Sequence, residues 1–215
     1  MKKVIKKLMT MIFIFSFVGL ASEKTKAGDD GLYASAPPPG SAFVRFINGD
    51  MGKPLKGSVR GKESPSVAPG HAGGYMSAPP GQAQIAFGAD ATTSYDLKPA
   101  GHYDAILANG HLTIVDEPIN DNKLKTQIVL INASREKDVS LKTADGKLTV
   151  IEPAQPEKLG ARAVNPVKAA FAIYSGGNKI VDLDERSLER GSDYVIVVYE
   201  GAKGPAASYD KSTGT

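Results

Sequence analysis

Cysteine and tryptophan are both absent from this 215-residue chain, and histidine occurs three times. Without cysteine there is no disulfide staple, thiolate metal site, thiol nucleophile or lipid attached through an N-terminal cysteine. Exported domains below about 80 residues often depend on such staples, so this chain must stabilise itself by core packing alone. Without tryptophan, the flattest platform for stacking a sugar ring is missing. Seven Phe and eight Tyr remain, and Phe43 and Phe171 fall on alternating strand positions that read as core. Sustained helical periodicity is also missing beyond the first 27 residues. Only one long apolar run exists.

That run, Leu8 to Ala21, covers 14 residues behind a basic cluster of Lys2, Lys3, Lys6 and Lys7. It is shorter than the roughly 20 residues a membrane-spanning helix requires. A cleaved export signal over residues 1–27 fits better, with Thr25 and Ala27 preceding a cut before Gly28. A cut after Ala21 and an uncleaved anchor are the alternatives. The segment holds six Lys and one Glu, leaving 20 basic and 22 acidic side chains downstream. The sequence pI of 8.9 therefore belongs to the signal and gives no support to a nucleic-acid partner. An exported chain with no second apolar segment points to the periplasm, or outside the cell.

Downstream, Gly- and Pro-rich turns separate short β-branched runs, the pattern of an all-β sandwich. Strands are expected over 42–48, 55–60, 83–88, 102–108 and 111–116. A second set follows over 126–132, 138–143, 147–152, 168–174, 179–183 and 193–199. Asn109-Gly110 reads as a type I′ hairpin turn, a register that places His102 opposite Glu117. Asp145-Gly146 and Asn165-Pro166 read as further turns.

The two halves repeat one another. "VRFIN" (Val44–Asn48) lies 84 residues before "IVLIN" (Ile128–Asn132), and "SVAP" (Ser66–Pro69) precedes "VIEP" (Val150–Pro153) by the same offset. "LKPAGHYDAILANG" from Leu97 parallels "LERGSDYVIVVYEG" from Leu188, 91 residues on. Two tandem small β-sandwich domains are expected, at 28–117 and 126–200, with a linker at 118–125. The tail, 201–215, is small and polar and is expected to be disordered.

Catalytic chemistry finds little support. A serine esterase needs a nucleophile, a histidine to take its proton and a carboxylate to orient that histidine. His71, His102 and His111 all lie in the first half, and no Gly-x-Ser-x-Gly elbow exists. His71 sits in the Gly-rich stretch "PGHAGGYMSAPPGQ", read as a loop. The acidic clusters at Asp29-Asp30 and Asp182–Arg186 lack calcium-loop spacing. No catalytic residue, metal site or cofactor is assigned. Glycan binding is the rival reading, with Lys123, Lys125, Arg135 and Lys137 as a local basic patch.

Four stretches carry a family resemblance. "GDDGLYASAPPPGSAFVRFIN" follows the signal. "LINASREKDVSLKTADGKLTV" (Leu130–Val150), "GARAVNPVKAAFAIYSGGNKIVDL" (Gly160–Leu183) and "LERGSDYVIVV" (Leu188–Val198) come later in the same order. Together they resemble the AlgF family of alginate biosynthesis proteins. That resemblance implies a non-catalytic, periplasmic adaptor of two β-sandwiches, needed for O-acetylation of an exopolysaccharide. Alginate leads, with acetylated cellulose as the alternative polymer. The implied partners are a periplasmic acetyltransferase and, through it, a membrane-bound O-acyltransferase, with the polymer itself as a further contact. Two stretches are expected to serve partner binding: Gly31, Leu32 and Tyr33 on the N-terminal arm, and Asn165, Pro166 and Lys168 at the later turn. The stretch from Gly49 to Ser94 departs from the family pattern.

Overall fold

The computed structural model describes residues 36–212, so the export signal and the arm bearing Gly31, Leu32 and Tyr33 lie outside the described residues. Among the described residues, the chain from Pro37 forms one compact unit whose regular elements are all β-strands. Its first half supplies β1 (Ala42–Asn48), β2 (Leu55–Val59), β3 (Lys62–Val67), β4 (Ala72–Ala78), β5 (Gly81–Phe87), β6 (Ala91–Leu97), β7 (His102–Ala108) and β8 (His111–Asp116). The second supplies β9 (Thr126–Asn132), β10 (Val139–Thr143), β11 (Thr149–Ala154), β12 (Lys158–Val164), β13 (Lys168–Ala169) and β14 (Phe171–Ser175). It finishes with β15 (Asn178–Asp182), β16 (Arg186–Ser187), β17 (Asp193–Gly201) and β18 (Gly204–Ser212).

The internal repeat is topological as well as sequential. In the first lobe the sheet β4-β1-β7-β8 faces the sheet β3-β2-β5-β6. In the second, β12-β9-β17-β18 faces β11-β10-β14-β15, with a short β13–β16 ladder added. Both lobes pair their first strand in parallel with their seventh counterpart, β1 with β7 and β9 with β17. The match extends to single residues. Asn48 donates from Nδ2 to Val67 O at 3.1 Å, and Asn132 donates likewise to Ala154 O at 3.0 Å. Each buried amide pins the chain that leaves its central strand, so both motifs end on Asn for the same reason. The phenol of Tyr103 accepts from Lys98 N, and that of Tyr194 from Glu189 N.

Each lobe has its own sandwich core, and a third core lies between them. Ile47, Ile106 and Ala108 of the first lobe meet Val129, Ile131, Ala133, Val195 and Val197 of the second. Sheets β4-β1-β7-β8 and β12-β9-β17-β18 therefore pack on each other, giving four layers. This explains why "FVRFIN" and "TQIVLIN" carry apolar residues on both faces. Alternation marks strands with one wet face, whereas these are covered on both. All seven residues of β9 are buried.

Two expectations require correction. The Gly-rich stretch around His71 is not a loop: Ala72–Ala78 is an edge strand antiparallel to β1, with Met76 and Ala78 in the core. An edge strand needs only one ladder and tolerates small residues, so it leaves little periodic signal. Nor is the C-terminal tail disordered over 204–212. It forms β18, paired along β17, and buries Tyr209 against Tyr194 at a ring separation of 5.7 Å. The strands β3, β6 and β12 also lie in stretches where no strand was expected. The predicted Asn109-Gly110 turn has φ of 52° and 77°, as a type I′ hairpin needs, and Glu117 N does donate to His102 O. Residues 118–125 join the lobes without strand structure.

Candidate functional site

The third core is apolar over only part of the lobe junction. Beside it, Arg45 of β1 is completely buried. A buried guanidinium must be paired, because its desolvation is costly. Its Nε donates to Asp104 Oδ1 at 2.7 Å and its Nη2 to Asp104 Oδ2 at 3.1 Å, Asp104 being its direct neighbour on the parallel strand β7. Nη2 also donates to Glu117 at the end of β8, and the Tyr75 ring of β4 lies 4.6 Å from the guanidinium carbon. The Tyr75 hydroxyl donates to Glu117 Oε2 at 2.5 Å. From the second lobe, Gln127 donates through Nε2 to Glu117 Oε1 at 3.3 Å and to Pro118 O at 2.6 Å.

One cation thus faces two carboxylates. Burial would lower the Arg45 pKa, but the fields of Asp104 and Glu117 outweigh it and push it upward. Asp104 takes the bidentate pair, which leaves Glu117 as surplus negative charge. Burial, reinforced by Asp104, pushes the Glu117 carboxyl up to about 8 despite the pull of Arg45. Burial likewise raises Tyr75. Burial and the Asp104 charge thus favour the protonated form of Glu117, the form that balances the single charge of Arg45 against Asp104.

Above this floor opens a pocket of about 230 Å³, walled by Tyr75, His102, Glu117, Lys123, Gln127 and Asp193 together with linker residues. The His102 ring stacks on Phe43 at 4.8 Å and meets the edge of Tyr75 at 5.2 Å. Burial lowers its pKa and raises that of Asp193. His102 Nδ1 is buried without a hydrogen-bond partner. No Ser, Thr or Cys lines the pocket. Among the described residues, no three His, Cys, Asp or Glu side chains are placed to hold a metal.

The structure does not bring the sequence-predicted site residues together with this pocket. Gly31, Leu32 and Tyr33 lie outside the described residues. Asn165 accepts from Lys125 Nζ at 2.8 Å, and Lys168 pairs with Glu185 at 2.6 Å. Pro166 stands between them in a turn whose Val167 is 51% exposed. His71 lies within 3.0 Å of Asp210 on β18 and so bridges the lobes. The Arg45 cluster went unrecognised in the sequence, although the repeat carries a signal for it. At the offsets of 84 and 91, Arg45 and Asp104 correspond to Val129 and Val195, themselves neighbours on β9 and β17. Charges that replace valines in doubly covered strands mark a specialised position.

The sequence matches agree with this picture. A family model described as Alginate O-acetyl transferase AlgF matches residues 16–195. The chain belongs to the AlgF family. It is 33% identical over 196 residues to the alginate biosynthesis protein AlgF of Pseudomonas syringae pv. tomato, covering 90% of this chain and 86% of that one. Against the AlgF of Pseudomonas aeruginosa it is 33% identical over 188 residues, 87% and 85% of the two chains. The AlgF of Azotobacter vinelandii gives 33% over 174 residues, 80% and 78%. A solved structure of the C-terminal domain of the P. aeruginosa AlgF is 35% identical, spanning 41% of this chain and 99% of that domain, with a TM-score of 0.38. Membership rests on the sequence matches, and it places this chain in alginate biosynthesis.

The Arg45 cluster generates two predictions. Replacing Arg45 by Val leaves Asp104 buried without its cation and should cost about 3–5 kcal/mol in chemical denaturation. Adding Asp104→Val, which copies the Val129–Val195 pair of the second lobe, should recover most of that loss; a neutral single variant would contradict the pairing. Glu117 binds its proton more tightly folded than unfolded, where its ordinary value is 4.5. Its stabilisation is complete below that value and is lost as pH rises towards about 8. The melting temperature should fall across this window, and Glu117→Gln should flatten that part of the decline.

Proposed function

We propose that the protein is a non-catalytic periplasmic adaptor in O-acetylation of an exopolysaccharide, with alginate the leading polymer. It would bind the periplasmic acetyltransferase and, through it, reach the membrane-bound O-acyltransferase. The observation that carries this reading is the state of His102. Its ring is fixed between two aromatics, its Nδ1 has no carboxylate to orient it, and no hydroxyl or thiol nucleophile of Ser, Thr or Cys lines its pocket. A general base without a nucleophile or an orienting acid cannot run the acyl-transfer sequence. The names of the relatives, which refer to alginate biosynthesis, support the pathway, and the description of the family model refers to O-acetyl transfer.

An adaptor acts through position. Holding the acetyl donor beside the polymer raises its effective concentration without any new bond being made. The arm with Gly31, Leu32 and Tyr33 and the turn at Asn165, Pro166 and Lys168 are the surfaces offered for contact.

Deleting the gene should abolish polymer acetylation, while the purified protein should capture the acetyltransferase and release no acetate from a model ester. Acetate release that disappears on His102→Ala or His71→Ala would contradict the adaptor reading. So would failure to capture the acetyltransferase.

A further inference from the structure

Five large apolar side chains are exposed among the described residues, and their placement is uneven. Ile119 and Leu124 belong to the linker, Leu148 to the turn between β10 and β11, and Val167 to the turn between β12 and β13. Strand register puts these three segments at one end of the second lobe. Val164, the last residue of β12, pairs with Thr126, the first of β9. Lys142, near the end of β10, pairs with Thr149, the first of β11. Side-chain bonds then draw the segments together: Lys125 Nζ donates to Asn165 Oδ1 at 2.8 Å, and Arg162 Nη1 to Val150 O at 3.0 Å. Lys125, Leu148 and Asn165 consequently wall one hollow. Only Met51 lies at the far end, sharing a hollow with Arg135 beyond the last residue of β9.

The sequence around the tips repeats one arrangement. Lysine adjoins each of them, in Lys123-Leu124-Lys125, Lys147-Leu148 and Val167-Lys168. Leu124, Leu148 and Val167 are 63%, 60% and 51% exposed. A cluster of exposed apolar side chains on a rigid frame marks a docking surface. A protein partner calls for a contiguous apolar centre, rich in aromatic residues and arginine and poor in lysine. This end is the opposite: separate aliphatic tips, no aromatic residue in 118–125, 144–148 or 165–168, and lysine beside every tip. A bilayer suits separate tips, since each inserts by itself while the neighbouring ammonium stays among lipid phosphates. The acids of these segments are Asp121 and Asp145, the latter 3.5 Å from Lys147. The adjoining loop 183–192 holds three acids and two arginines, and its Glu185 pairs with Lys168. Positive charge is therefore concentrated at the apolar tips rather than spread over the whole end.

We infer that this end of the second lobe docks peripherally on an anionic phospholipid bilayer. Leu124, Leu148 and Val167 enter the headgroup layer, and the lysines beside them meet lipid phosphates. The contact is shallow and reversible, because three aliphatic tips bury little apolar area. It does not rest on the adaptor reading, and it adds a membrane surface to the protein contacts.

The chain has no tryptophan, so a single introduced one reports its own surroundings. Leu124→Trp and Leu148→Trp, made separately in the chain from Gly28, are mixed at low salt with vesicles of phosphatidylethanolamine and phosphatidylglycerol. Blue-shifted emission and quenching by brominated lipid are expected at both positions, and neither at Met51→Trp. Phosphatidylcholine vesicles should bind about tenfold more weakly, because the lysines lose their anionic partners. Leu124→Ser combined with Leu148→Ser should lower co-sedimentation with the anionic vesicles by about tenfold and leave acetyltransferase capture unchanged. Lys123→Gln with Lys147→Gln, expected to weaken binding by about tenfold, serves if the serine pair folds poorly. Unchanged emission at the tips, an equal change at Met51→Trp, equal binding to phosphatidylcholine, or full binding by the variants would overturn the proposal while sparing the adaptor. Loss of acetyltransferase capture in the serine pair would show a protein-docking surface and would also overturn it.

Discussion

A single buried guanidinium sets the terms for the lobe junction. Arg45 sits at the centre of a sheet covered on both faces, where an unpaired charge would be intolerable, and three elements converge on its Nε and Nη2 side, while Nη1 stays buried without a hydrogen-bond partner. Asp104 comes from the parallel neighbour, Glu117 from the end of the first lobe and Tyr75 from the edge strand. Gln127, two residues into the second lobe's first strand by pairing with Asp193, then ties Glu117 and Pro118 to the second lobe. The linker is thereby anchored at both ends. Apolar faces alone tolerate sliding over one another, whereas a buried polar cluster is satisfied in few registers. Further contacts cross between the lobes in that register: Thr113 donates to Glu157 at 2.7 Å, Arg135 to Asn109 at 2.8 Å, and His71 lies 3.0 Å from Asp210.

Duplication explains both the sameness and the difference of the lobes. Each keeps the parallel central pair, the buried Asn at the end of its first strand and the Tyr near the start of that strand's parallel partner. These features close a sandwich whatever it is used for. The divergence is concentrated on the face that meets the other lobe, where Arg45 and Asp104 stand against Val129 and Val195. One lobe is polar at this position and the other apolar, so the junction combines an apolar core with a polar-walled pocket. The candidate site lies at this asymmetry.

Much of this was legible in the sequence, for identifiable reasons. Central strands such as 42–48, 102–108 and 126–132 announce themselves through short runs rich in apolar residues, and Asn109-Gly110 fixes its hairpin by backbone chemistry. Edge strands were harder. β4, with its glycines, and β18, with Ala206, Ala207 and Lys211, draw their order from neighbours already in place, so composition alone reads them as loop or tail. The site was harder still. Arg45 within "FVRFI" looks like an ordinary outward residue of an alternating strand until a second sheet is known to cover that face. The anchoring of the linker by Glu117 and Gln127 is a tertiary fact, invisible to local pattern.

If the third core and its polar cluster make the lobes one body, their relative orientation must be fixed in solution. Residual dipolar couplings measured across both lobes in one alignment medium test this directly. A single alignment tensor fitting couplings from β1–β8 and β9–β18 together is the predicted result. Two tensors of different magnitude or orientation would contradict it.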